Sequence, residues 1–186
     1  MKLIFTLGNA EKQYDHTRHN VGFWVADTLA EAYGVAWKEK AKFKCHLAEA
    51  QQGSEKVLIA KPTTYYNLVG ESLHALMNFY GIAAEDVLII HDDLMLPLGT
   101  VRTRVGGSDA GNNGIKSINA HGGRETYRLR IGIATDMRRM MGDTDFVLGK
   151  LGASEREMLA KQLPAIERTI EQFLASELET TTHRVA

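Results

Sequence analysis

Three short polar clusters stand where apolar runs end, and their residue types suit hydrolysis by an activated water. His19 lies in Thr17-Arg18-His19-Asn20, just ahead of an amphipathic stretch. An unperturbed imidazole titrates at about 6.5, so a neutral base is available at physiological pH. Asp92 and Asp93 follow Val87-Leu88-Ile89-Ile90-His91. A carboxylate bonded to one ring nitrogen fixes the tautomer and leaves the other nitrogen to take a proton. Successive strand residues point to opposite faces, so one aspartate is expected to face His19 and the other to cap a turn. Asn9 closes the run Leu3-Ile4-Phe5-Thr6-Leu7-Gly8, and Asn67, Asn112 and Asn113 add further amides. An amide aimed at an acyl carbonyl stabilises the oxyanion that forms there. No serine or cysteine stands in an elbow motif, so water is the expected attacking group.

Taken singly, each residue also has a plainer role: a histidine before a helix as a surface or capping group, an asparagine as a turn or helix cap. His91-Asp92-Asp93 lacks a second ligand cluster at metal spacing, and no metal is expected. Gly106-Gly107-Ser108-Asp109-Ala110-Gly111-Asn112-Asn113-Gly114 precedes a helix and can meet an anion through its N–H groups. It lacks the Gly-Lys-Ser/Thr ending of a P-loop, and Leu7-Gly8-Asn9-Ala10-Glu11 gives no dinucleotide fingerprint. No cofactor is expected.

The elements that must position these residues follow from periodicity. Lys2 to Leu7 and Val87 to Ile90 read as buried strands, apolar nearly throughout. Val21, Trp24, Val25 and Leu29 predict a helix from about Val21 to Tyr33. Two strands, His46 to Ala50 and Lys56 to Ala60, flank a turn at Gly53-Ser54. Leu73, Leu76, Met77 and Tyr80 mark a helix stopped near Gly81. Thr100 to Arg104 and Arg128 to Ala134 supply two more strands. The last helix is expected to open with a capping box, Ser154 with Glu157. Its core stripe is Leu159, Leu163, Ile166, Ile170, Phe173 and Leu174, kinked by Pro164. Residues from about Thr180 are expected to fray. The prediction is an α/β fold, one domain spanning 1–186, as three α/β/α layers around a twisted, mostly parallel mixed sheet.

At 186 residues, with 44% apolar, the chain suits one domain with a sizeable core. No apolar run approaches the roughly 18 residues that span a bilayer. No signal-peptide pattern precedes the first strand. The one cysteine, Cys45, is expected to be a buried, inert thiol. Together these favour a reducing, cytoplasmic setting. The net charge of −1 hides an asymmetry: Val101 to Arg139 carries +5 and the remainder −6. Such a segment marks either a phosphate footprint or a solvated face with dispersed arginines.

Read in order, several stretches resemble the bacterial-type peptidyl-tRNA hydrolase family. They are Leu7-Gly8-Asn9; Tyr14 with Thr17-Arg18-His19-Asn20-Val21-Gly22; Lys61-Pro62-Thr63-Thr64-Tyr65-Tyr66-Asn67-Leu68-Val69-Gly70; and His91-Asp92-Asp93-Leu94-Met95-Leu96-Pro97. Gly106-Gly107 through Asn113-Gly114, Arg128-Leu129-Arg130-Ile131-Gly132-Ile133 and Phe146-Val147-Leu148-Gly149-Lys150 complete the set. The resemblance implies cleavage of the ester between a peptide and the 3′-terminal ribose of tRNA, which recycles tRNA for translation. It makes His19 the base, Asp92 its support, and Asn9 the residue that helps tell blocked from free aminoacyl groups. It puts Tyr14, Tyr65, Asn67 and Asn113 on the peptide and 3′-end site, and Arg102, Arg104 and Arg130 on tRNA phosphate. It also implies a monomer that needs no metal.

The sequence departs from the family pattern at five places. Ala10-Glu11 stands where Pro-Gly is common, Tyr66 where methionine is usual, and Met95 where an acidic residue is common. Asn112 replaces a usual histidine, and Ala134-Thr135-Asp136 stands where Gly and then Pro follow the strand. The strongest rival is a non-catalytic RNA-binding protein on the same fold. The His19–Asp92 pair argues against it, and the basic segment argues against a small-ester hydrolase that ignores RNA.

Overall fold

The computed structural model describes residues 1–185. The sheet strands are β1 (Lys2–Thr6), β2 (Lys38–Lys40), β3 (Cys45–Gln52), β4 (Glu55–Pro62), β5 (Val87–Pro97), β6 (Thr100–Val105), β7 (Tyr127–Ala134) and β8 (Thr182–Arg184). The helices are α1 (Val21–Ala32), α2 (Val69–Tyr80), α3 (Asn113–Ala120), α4 (Asp143–Leu148) and α5 (Ala153–Leu174). The strand order is β2-β3-β4-β1-β5-β7-β6-β8.

Helices cover both faces, which is the expected layering. Ile4, Leu88 and Ile90 pack on one side with Val21, Val25, Ile166 and Phe173. Their strand neighbours Leu3, Phe5, Val87 and Ile89 pack on the other with Leu73, Leu76, Ile115 and Ile118. Alternation along β1 and β5 thus feeds two cores, and burying each such side chain contributes about 1.5–3 kcal/mol. The sheet is mixed, but the expected predominance of parallel pairing holds only at its centre. β4–β1, β1–β5 and β5–β7 are parallel, whereas the flanking ladders are antiparallel. Tight turns supply the flanks: Gly53, at φ +60°, closes the β3–β4 hairpin.

Three expectations are corrected. The tail does not fray through Thr182–Arg184: it pairs with β6, Val101 opposite His183, and covers what would be an open sheet edge. Thr103 secures it, donating its hydroxyl to the Glu179 carbonyl at 2.6 Å and accepting from the Thr181 N–H at 2.8 Å. The helix cap also lies elsewhere. Gly152 caps α5, and its N–H donates to the Glu155 carboxylate at 2.7 Å, so Glu155 takes the role expected of Glu157. A long-range partner selects this register: Glu155 receives both Arg18 Nε and Nη2 at 2.8 Å. Finally, α5 runs from Ala153 through Pro164 to Leu174, and its core stripe is shorter than expected. Leu163 and Leu174 are only partly buried, so the stripe rests on Leu159, Ile166, Ile170 and Phe173.

Candidate active site

His19 occupies a single 3-10 turn, Arg18–Asn20, that leads into α1. Both its neighbours are tied down. The Arg18 guanidinium bonds Glu155 and the Phe146 carbonyl and lies 4.3 Å from the Phe146 ring centroid. The Asn20 amide brackets Asn9: it accepts from the Asn9 N–H at 2.8 Å and donates to the Asn9 carbonyl at 2.9 Å. Asn20 carried no predicted role, yet it aligns the loop after β1 with the turn bearing His19. Gly22 permits the close approach of that turn to the sheet. A Cβ there would sit 2.5 Å from the Leu7 carbonyl oxygen and 2.8 Å from that of Ile90.

β5 runs past its predicted end to Pro97, so Asp92 and Asp93 are strand residues opposite Ile131 and Gly132 of β7. The alternation expected of them is present. Asp92 Oδ2 lies 2.9 Å from His19 Nδ1, with side-chain exposures of 2% and 14%. A carboxylate can only accept, so Nδ1–H is the donor of this contact, and the neutral tautomer that fits it carries its lone pair on Nε2. Asp93 accepts instead from the Met95 N–H at 2.8 Å and from Arg130 Nε at 2.5 Å. His91 is buried and donates Nδ1–H to the Asp92 carbonyl at 2.7 Å; burial pushes its pKa down, which favours the neutral ring.

The pair opens into a cleft of about 510 Å³. Asn9, Tyr14, Asn67, Asn112 and Asn113 stand in its wall with His19 and Asp92, and Arg104 and Arg130 line it too. Two predicted residues are elsewhere. Tyr65 is 72% exposed and lines no part of the cleft; its neighbour Tyr66 is there instead. Arg102 turns away, its Nε donating to Thr182 Oγ1 at 3.0 Å. Arg128, counted in the basic segment, is buried. Burial, with Arg104 and Arg130 beside it, pushes its pKa down to about 10. It holds the glycine-rich loop, donating to the carbonyls of Gly107 and Ser108 and to Asn119 Oδ1. Across β6 and β7, Arg102 faces Arg130 and Arg104 faces Arg128. Like charges directly opposite destabilise a sheet; Asp93 offsets Arg130, and the partly exposed Arg104 beside the buried Arg128 is the cation that favours an anion here.

Two departures from the family pattern, Tyr66 and Asn112, meet at the His19–Asp92 pair. The Tyr66 ring stacks on His19 with centroids 3.8 Å apart and 27° between planes. Its hydroxyl touches Asp92 Oδ1 and Asn112 Nδ2. A larger cleft, about 720 Å³, opens beyond Asn9 between α1 and α5. Neither of its histidines, His16 and His46, bonds a carboxylate among the described residues.

Fold and cleft define a class: an α/β protein with a bonded imidazole–carboxylate pair at the carboxyl ends of central parallel strands, beside a basic wall. Comparison with known proteins gives the particular family. The profile described as peptidyl-tRNA hydrolase matches residues 3–186. The peptidyl-tRNA hydrolase of Geobacillus kaustophilus is 44% identical over 173 residues, covering 91% of this chain and 87% of that one. That of Clostridium novyi is 41% identical over 175 residues, covering 94% and 92%. The crystal structure of the enzyme from Acinetobacter baumannii matches with a TM-score of 0.87 at 33% identity, over 95% of this chain and 90% of that one. The chain belongs to the peptidyl-tRNA hydrolase family. Among the described residues, no helix is long and apolar enough to cross a membrane.

Proposed function

We propose that this protein hydrolyses the ester joining a peptide, or an N-blocked aminoacyl group, to the 3′-terminal ribose of tRNA, with His19 as the base. The observation that carries the reading is the 2.9 Å contact between His19 Nδ1 and Asp92 Oδ2. It leaves Nε2 free to take a proton from water. The resulting hydroxide attacks the ester carbonyl, and Asn9 or Asn113 donates toward the oxyanion. The imidazolium, balanced by Asp92, returns the proton to the departing 3′ oxygen. Free tRNA and a carboxylic acid leave. Tyr14 and Asn67 border the peptide and 3′ end, and Arg104 and Arg130 attract phosphate. On this reading the protein is a cytoplasmic monomer that needs no metal or cofactor.

The test is to offer the purified protein, in EDTA, N-blocked aminoacyl-tRNA, free aminoacyl-tRNA and a small N-blocked amino-acid ester. Cleavage of the blocked tRNA, with a KM that rises steeply with salt, supports the reading. Binding without cleavage makes the protein an RNA-binding member of the fold. Equal use of the small ester without salt dependence removes tRNA from the account.

A further inference from the structure

Only one oxygen of the Asp92 carboxylate serves His19. The other, Oδ1, lies 3.3 Å from the Tyr66 hydroxyl, which lies 3.0 Å from Asn112 Nδ2. Asn112 Oδ1 accepts from the Ile115 N–H at 3.0 Å and so caps α3. Donor chemistry gives this chain one direction. The amide oxygen is engaged by a backbone N–H, so its NH₂ must face Tyr66. The phenol has a single O–H; accepting from Asn112, it donates to the carboxylate, which can only accept. At 3.3 Å the last bond is long for O–H···O, where about 2.7–2.8 Å is usual. Yet the ring of the same residue stacks on the imidazole, and a Cβ at Gly114 would lie 2.7 Å from that ring, so α3 and His19 hold it from both sides. Tyr66 is 9% exposed. One side chain thus touches both halves of the base pair and is itself anchored to a helix terminus.

We propose that Tyr66 is a positioning residue, which with Asn112 couples the start of α3 to the His19–Asp92 pair. It holds the carboxylate in the rotamer that receives Nδ1–H and holds the imidazole so that Nε2 faces the cleft. The inference rests on His19 being the base.

Tyr66→Phe keeps the ring and removes the hydroxyl; Asn112→Ser keeps a capping oxygen and removes the amide donor. Each is expected to lower kcat about tenfold, with KM changed by no more than about twofold. Because the two act in series, the double variant should be no slower than Tyr66→Phe alone. The ¹⁵N spectrum of His19 should change from one tautomer, protonated at Nδ1, to a mixture in both single variants. Melting temperatures measured alongside report loss of packing separately. Wild-type turnover and an unchanged His19 spectrum in Tyr66→Phe overturn the proposal. So does a melting-temperature drop without a tautomer change, or a double variant slowed by the product of the single effects. His19→Ala separates this inference from the one beneath it: full turnover there removes the base assignment, while the spectra still decide whether Tyr66 sets the tautomer.

Discussion

The two walls of the cleft are built on different principles. At the His19 wall, polar atoms are tied into bonds and the pair is nearly covered. Opposite it, β6 and β7 bring Arg104, Arg128 and Arg130 to the cleft, while their neighbour Arg102 turns to Thr182. Only Arg128 is buried, and Arg104 stands partly exposed against Gly107. Chemistry at one ester bond needs a base held within a fraction of an ångström, so its wall is a bonded lattice. Attraction of a polyanion needs charge density more than fixed geometry, and on the other wall it is the partly exposed Arg104 that can supply it, since Arg130 is paired with Asp93 and Arg128 holds the loop. We propose that the first wall governs turnover and the second binding.

The largest expected effect breaks the first wall alone. His19→Ala should lower kcat about a thousandfold, measured in single-turnover cleavage of N-blocked aminoacyl-tRNA. Next comes the support beneath it. Glu155→Leu leaves the Arg18 guanidinium buried without its carboxylate, which should cost about 3–5 kcal/mol of stability in denaturant unfolding. A smaller effect belongs to the other wall. Arg104→Ala should raise KM roughly tenfold and reduce the slope of log KM against log salt by about one, at near-constant kcat. The smallest lies outside both. Burial pushes the Cys45 thiol up to about 11, so below that pH it stays protonated and poorly nucleophilic. Iodoacetamide should label it only after unfolding, and Cys45→Ala should leave kcat and KM unchanged.

The two walls also differed in how far the sequence exposed them. β1 and the first half of β5 are covered on both faces, so their apolar runs announced the strands and the polar residues at their ends. The split between Asp92 and Asp93 was legible because strand side chains alternate. The His19 turn was legible from its place before an amphipathic helix. The buried supports were not, because they depend on distant partners. Asn20 matters through Asn9, and Glu155 displaced Glu157 from the cap because Arg18 lies opposite it. Tyr65 and Tyr66 are neighbours of similar chemistry, and only the packing of the 3-10 turn Tyr66–Leu68 on α3 decides which one meets His19. On the basic wall, charge counting found the segment but could not separate a buried Arg128 from an accessible Arg104. Nor could it foresee β8: Thr182-His183-Arg184 has no apolar pattern and is a strand only because β6 offers an edge.

The division between the walls is tested most directly by the affinity of His19→Ala for N-blocked aminoacyl-tRNA, measured from about 50 to 200 mM salt beside wild type and Arg104→Ala. His19→Ala is expected to bind within about twofold of the substrate affinity of catalytically slowed wild type, with the same salt slope, yet not to turn over. Arg104→Ala is expected to bind more weakly, with a shallower slope. Loss of binding in step with turnover in His19→Ala, or loss of kcat at unchanged affinity in Arg104→Ala, would contradict this division.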